Sequence, residues 1–127
     1  KGIKTLSHVD CKYGINLNKM KNSSLLDLEN RKGKSPGGYN YPLRELGSSF
    51  IMMNAVGVHR DVVTLVHEAG HAMHSFATMP MHLMDYKECP HESAELASMA
   101  MEMLSMDYWD EFYSNEEDLI KAKKINW

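Results

Sequence analysis

Two histidines and a glutamate in the segment His67-Glu68-Ala69-Gly70-His71 have the residue types and the spacing of a metal site. On a helix, side chains four residues apart lie on one face and about 6 Å apart along the axis, so both imidazoles can reach one ion. Zinc bound in this way lowers the pKa of a water molecule to about 7. The motif predicts a zinc site in which Glu68 is the catalytic general base. The alternative is a chance occurrence of the short motif on a surface helix.

A catalytic zinc site needs a third protein ligand, and a segment downstream offers three carboxylates as candidates. Glu92, Glu95 and Glu102 fall on one stripe of a predicted helix that is otherwise apolar around most of its circumference. We expect that helix to be buried, and a buried carboxylate needs a partner. An ordinary solvated acidic face is the alternative. His74, three residues after His71, is a candidate for orienting a ligand or contacting substrate.

The metal motif lies inside the strongest helical pattern of the chain. From residue 60, apolar side chains recur at spacings of four and three, as helices require: Val62, Val66, Ala69, Met73 and Phe76. Asp61 is placed to cap the start of this helix, and Pro80 marks its end. A second helix is predicted from Pro90 to about Tyr108, and a third from Ser114 to Trp127.

Three short apolar segments before the metal motif predict strands of a small sheet: Leu25–Glu29, Gly38–Tyr41 and Phe50–Val56. The last is predicted to be an edge strand beside the metal, where an extended peptide pairs through main-chain hydrogen bonds. Asn54 and Gly57 favour an edge strand. An interior strand is the alternative. Asn54, Ala55 and Gly57 are therefore candidates for substrate contact. Residues 1–24 show no sustained period and are expected to form either an exposed lead-in of unassigned role or an element separated from its packing partners.

Composition limits the class of protein. With 127 residues and 43% hydrophobic content, the chain forms one domain or part of one. Its net charge of −3 comes without a basic cluster, which argues against a nucleic-acid partner. No apolar run reaches the roughly 18 residues of a membrane span, and Cys11 and Cys89 form no close pair, so we expect a cytoplasmic protein without a membrane partner.

The metal motif in its context resembles a known family. Residues 61–74 resemble the active-site helix of the thimet oligopeptidase and oligoendopeptidase F family, and the HExGHxxH form is more specific than HExxH alone. Glu95-Leu96-Ala97-Ser98 followed by Glu102 is similar to the helix that carries that family's third ligand. An upstream strand and Gly-rich turn also match: Leu26-Asp27-Leu28, Arg31, Gly33-Lys34 and Gly37-Gly38. The resemblance covers roughly residues 25–113.

This resemblance implies a fold, a cofactor and an activity. The fold would be α+β and mainly helical, with a small sheet packed on two antiparallel zinc-binding helices, and residues 25–127 would form part of a zinc peptidase catalytic domain. One zinc ion per chain would be bound by His67, His71 and Glu95. Glu68 would activate water for the hydrolysis of oligopeptide substrates. Family members are several times longer, so the rest of a parent peptidase is an expected partner.

Two alternatives to an active endopeptidase remain at this stage. The chain ends before the downstream His and Tyr cluster with which the family stabilises the oxyanion, and Tyr108 and Tyr113 do not match it. The segment would then bind zinc and be inactive alone. A structural zinc module is the other alternative, and it would close the coordination shell with His74 or Cys89.

Overall fold

A computed structural model of the protein describes residues 1–126; Trp127, the predicted end of the last helix, lies outside the described residues. Three strands lie between helices, with 3-10 turns at Arg44–Leu46 and Met106–Glu111. In chain order the elements are α1 Gly2–Val9, α2 Cys11–Asn22, β1 Leu26–Glu29, β2 Gly38–Leu43, β3 Ser48–Ala55, α3 His59–Thr78, α4 Met84–Lys87, α5 His91–Ser105 and α6 Glu116–Asn126. The mainly helical α+β architecture follows the prediction.

The sheet has the strand order β1-β3-β2, with β1 parallel and β2 antiparallel to β3. The prediction that Phe50–Val56 is an edge strand is therefore wrong. Met53 pairs with Gly38 on one side, and Ala55 pairs with Glu29 on the other. The Asn54 amide group donates to the carbonyls of Lys34 and Ser35 rather than to solvent. The edge strand nearest the metal motif is β2.

The first 24 residues form α1 and α2 rather than an exposed lead-in. Leu6, Leu17 and Met20 are almost fully buried in the core that also holds Ile51 of β3 and Ala69 of α3. No single period runs through this segment because two helices meet at Asp10, where the carboxylate caps the second by accepting the Lys12 N–H at 2.8 Å. Each helix therefore turns its own apolar side toward the core.

Asp61 fixes the start of α3, as its position predicts. Its Oδ2 accepts hydrogen bonds from the main-chain N–H groups of Val56, Gly57 and Val58 at 2.7, 2.7 and 3.0 Å. Gly57 takes a left-handed conformation, with φ of 86°, that favours glycine. This turn ties the end of β3 to the helix that carries the metal motif.

The helix α5 packs along α3 with its direction reversed, since His67 contacts Glu102 whereas His71 contacts Glu95. Only one side of α5 is buried, whereas the sequence pattern predicted a buried helix. Its opposite side carries four exposed apolar side chains, Leu96, Met99, Met103 and Leu104. None of the helices within residues 1–126 combines the length and the apolar character needed to cross a membrane.

Candidate metal centre

Three predicted ligands from two helices meet at one point. His67 and His71 lie one turn apart on α3, with ring centroids 4.9 Å apart and ring planes at 80°. Glu95 of α5 places Oε2 3.2 Å from His67 Nε2 and Oε1 3.4 Å from His71 Nε2. One ligand atom from each residue lies within 4.8 Å of the other two.

These distances fit a zinc ion. Bonds of about 2.0–2.2 Å at tetrahedral angles place two ligand atoms of the same zinc about 3.3 Å apart. The carboxylate of Glu95 spans the two imidazoles, and each of its oxygens lies at about that separation from one of them: Oε2 3.2 Å from His67 Nε2 and Oε1 3.4 Å from His71 Nε2. Two imidazoles and one carboxylate are also a known donor set of catalytic zinc sites, and they leave the fourth position for water or substrate.

Two further side chains of α5 orient these ligands. Glu102 Oε1 lies 2.6 Å from His67 Nδ1, so the carboxylate can hold a proton on Nδ1 and leave Nε2 free to bind a metal. The Ser98 hydroxyl donates to the main-chain carbonyl of Glu95 at 2.8 Å and lies 3.4 Å from its Oε2. Ser98 is fully buried, so water does not compete for this contact.

Burial shifts the pKa values of Glu68 and His71, two residues that would act at the metal. Glu68 is 8% exposed, and burial raises the pKa of its carboxyl group; the positive charge of His67 opposes this shift and the negative charge of Glu95 adds to it. Burial also lowers the pKa of His71, and the charge of His67 acts in the same direction. His71 is thereby favoured in the neutral form that metals require.

Two other histidines, His74 and His91, line the same cavity without joining the three candidate ligands. His74 lines the same cavity, and its Nδ1 lies 4.0 Å from Cys89 Sγ. His91 is 84% exposed at its side chain and lies 3.7 Å from Glu95 Oε1. Glu92 is exposed to solvent at the start of α5. The structure thus brings Glu95 and Glu102 to α3 and leaves Glu92 in solvent.

The predicted substrate contacts Asn54, Ala55 and Gly57 do not line the metal cavity. Ala55 and Gly57 border a separate cavity that also contains His59. The Gly57 N–H donates to Asp61, and the Asn54 amide donates to the loop before β2. Asn54 and Ala55 end the central strand β3 and Gly57 follows it, so these predicted contacts fail for the same physical reason as the edge assignment.

The metal cavity, of about 550 Å³, is bordered by β2 instead, and Gly38 of that strand lies on its lining. A Cβ atom at Gly38 would lie 2.7 Å from Thr64 Cγ2 and 3.5 Å from Glu68 Cγ. The edge strand therefore passes directly over the candidate base. The Gly37-Gly38 pair was a signal for such a close approach, because glycine permits what a side chain would block.

Comparisons with known proteins assign the chain to a family. The sequence profile of peptidase family M3 matches residues 4–126. An oligoendopeptidase F homolog of Borreliella burgdorferi is 34% identical over 92 residues, which are 72% of this chain and 14% of that protein. Mitochondrial intermediate peptidase of Rattus norvegicus is 31% identical over 114 residues, 81% of this chain and 15% of the relative.

Solved structures show the same fold. PZ peptidase A, determined with an inhibitor, has a TM-score of 0.87 and 29% identity, and the match covers 96% of this chain and 21% of that one. A Bacillus anthracis structure described as an oligoendopeptidase F has a TM-score of 0.88 and 27% identity, covering 98% and 23%.

The chain therefore belongs to peptidase family M3, whose members are generally zinc metallopeptidases. This confirms the resemblance seen in the sequence and extends it to residues 4–24. The chain spans only about 14% of the length of the Borreliella relative and 21% of PZ peptidase A.

Proposed function

We propose that this chain is the zinc-binding catalytic segment of an endopeptidase that hydrolyses oligopeptides. The observation that carries the proposal is the convergence of His67, His71 and Glu95 at distances that fit one zinc ion, with the buried Glu68 on the same helix. Relatives in the same family are named oligoendopeptidase F and mitochondrial intermediate peptidase, which supports peptide hydrolysis as the reaction. Two free cysteines, Cys11 and Cys89, fit the proposed cytoplasmic location.

Different residues of the chain have different roles in the proposed hydrolysis. A zinc ion held by His67, His71 and Glu95 would supply Lewis acidity toward the peptide carbonyl and the attacking water. Glu68 would accept a proton from that water on its carboxylate and later donate the proton to the leaving amine nitrogen. A raised pKa suits both roles, because a carboxylate that binds its proton more tightly is a stronger base. Glu102 would keep His67 in the tautomer whose Nε2 faces the metal.

The edge strand β2 is proposed to bind the substrate main chain. Pro42 has no N–H group, so its pair with Ser49 is assigned as one that exchanges no hydrogen bonds. By the alternation of an antiparallel ladder, Gly38 and Asn40 then direct their main-chain groups away from β3, toward the free edge. A peptide added to this edge would run past Glu68, which lies next to Gly38.

A proline substitution tests the role of β2. Asn40→Pro removes one main-chain donor from the free edge and should raise KM for peptides without changing zinc content. The Asn40 side chain also donates to Ser49 Oγ at 2.6 Å, so Asn40→Ala is the control for loss of that contact. Equal KM values for the two variants would contradict the proposed pairing.

The experiment for the function itself separates metal binding from hydrolysis. In the full-length parent peptidase, Glu68→Gln should retain one zinc per chain and lose nearly all hydrolysis, since a base is needed only in the chemical step. Glu95→Gln should also bind zinc more weakly, through the two histidines alone, whereas Glu92→Gln, at an exposed position on the same helix, should change neither zinc binding nor hydrolysis. Normal turnover by zinc-loaded Glu68→Gln enzyme would refute the role of Glu68.

A second candidate is a zinc-binding segment that is inactive without the rest of its parent. The exposed apolar side of α5 favours it, because Leu96, Met99, Met103 and Leu104 are each at least half exposed and form a continuous stripe. We propose that the rest of the parent peptidase covers this stripe. Assays of peptide hydrolysis and zinc content on the same 127-residue preparation decide between the candidates: zinc without turnover supports the second, and zinc with turnover supports the first.

A further inference from the structure

The helices α3 and α5 are in close contact at Gly70, inside the metal motif. A Cβ atom at this position would lie 2.7 Å from Ser98 Cα, 3.0 Å from Met101 Cβ and 3.2 Å from the Ala97 carbonyl oxygen. Two of these three neighbours are main-chain atoms of α5, which cannot rotate away. Any residue other than glycine would push the two helices apart.

Helix stability does not explain this glycine. Alanine is favoured over glycine inside a helix, and Gly70 lies in the middle of a 20-residue one. The neighbour opposite, Ser98, is small and fully buried, and its hydroxyl donates to the main chain of Glu95. The closest contact thus joins a residue adjacent to His71 with a residue three positions after Glu95.

We propose that Gly70 and Ser98 are positioning residues that set the distance between the histidine ligands on α3 and the carboxylate ligand on α5. The inference rests on the proposed zinc site. Gly70 permits the close approach of the helices, and Ser98 fixes the backbone and carboxylate of Glu95 at that approach. Neither residue lines the cavity beside the candidate ligands.

The size of the displacement supports this role over simple packing. Moving Ser98 Cα from 2.7 Å to the 3.4 Å at which ordinary contact begins requires a shift of about 0.7 Å. Metal–ligand distances tolerate only about 0.2 Å. A single methyl group at Gly70 would therefore displace Glu95 from a zinc ion held by His67 and His71 by more than this tolerance, even in a chain that stays folded.

The test is a double-mutant cycle on the 127-residue chain, with zinc affinity measured by competition against a chelator. Gly70→Ala should weaken zinc binding at least about tenfold. This is the loss typical when a group that orients a metal ligand is removed. In a Glu95→Gln background the same substitution should have no further effect, because the ligand through which Gly70 acts is already gone. Circular dichroism checks that each variant is folded.

A control and a second variant keep the outcome decisive. Ala122→Gly alters a buried residue in the separate cluster around Trp109 and should lower stability while zinc affinity stays unchanged. Ser98→Ala adds no atom at the contact, so it decides the cycle if Gly70→Ala fails to fold; it should also weaken zinc binding only when Glu95 is present.

Unchanged affinity in folded Gly70→Ala, or equal losses with and without Glu95, would overturn the inference. Absence of zinc binding by the unmodified chain would instead overturn the zinc site itself, and the inference with it.

Discussion

Glu102 is placed to orient a histidine of the proposed metal site without itself being a ligand. Its carboxylate lies 2.6 Å from His67 Nδ1, and only 20% of its side chain is exposed. A carboxylate in this place fixes both the tautomer and the ring orientation of the histidine. Without it, the His67 ring would be free to turn and to place its proton on the nitrogen that faces Glu95.

We therefore expect Glu102→Gln to lower zinc affinity by about 10- to 100-fold, because the amide keeps the size of the side chain but removes its charge. Chelator competition at neutral pH measures this loss. Glu92→Gln is the matched control, since Glu92 lies on the same helix but is exposed. The assignment fails if the two variants bind zinc equally well.

Between β1 and β2, a charged cluster holds the loop that leads to the metal cavity. Arg31 donates to both carboxylate oxygens of Asp27, at 2.6 and 2.7 Å. The Lys34 ammonium donates to the same carboxylate at 3.1 Å and to the Glu29 carbonyl at 2.7 Å, and its side chain is only 7% exposed. Hydrogen bonds from Arg31 and then Lys34 hold the pKa of Asp27 well below its ordinary value. The loop ends at Gly38, beside Glu68.

This pKa shift predicts a pH-dependent loss of stability in Asp27→Asn. A carboxyl group with a lowered pKa stabilises the folded chain above its ordinary pKa of 3.8, and this contribution is lost as the pH falls through the folded value. The urea midpoint of Asp27→Asn should therefore lie below that of the unmodified chain at pH 7, and the gap should shrink in acid. Asp110→Asn, at an exposed position, serves as the control. A gap independent of pH would contradict the ion-pair explanation.

At the scale of helices and strands, the sequence predicts the individual elements better than their arrangement in the fold. The period of α3 and the apolar run of β3 are local properties, so both elements lie close to their predicted bounds. The order β1-β3-β2 depends on pairing between distant segments, which no local pattern contains, and the edge prediction failed for that reason. The spacing of His67 and His71 is likewise local, whereas the contact of Gly70 with Ser98 exists only after two helices have packed.

The whole molecule is organised around α3, which contributes to two buried clusters. One lies against α1, α2, β3 and α5 and includes Leu17, Met20 and Ala69. The other contains Val66, Met106, Trp109 and Ala122, and the Trp109 indole donates to Ser105 Oγ at 3.0 Å. The helix that carries the metal motif is thus packed on both clusters, and this packing limits how far its ligands can move.

The contribution of the first 24 residues to this packing is open to a direct test. Leu17 is 2% exposed, whereas Ile15 on the same helix is 65% exposed. Leu17→Ala leaves a cavity in the core and should lower the free energy of unfolding by about 2–5 kcal/mol. Ile15→Ala should change it by no more than about 0.5 kcal/mol. Urea denaturation followed by circular dichroism measures both values. Small and equal effects would mean that residues 1–24 are a lead-in after all, and that α3 is held in place without them.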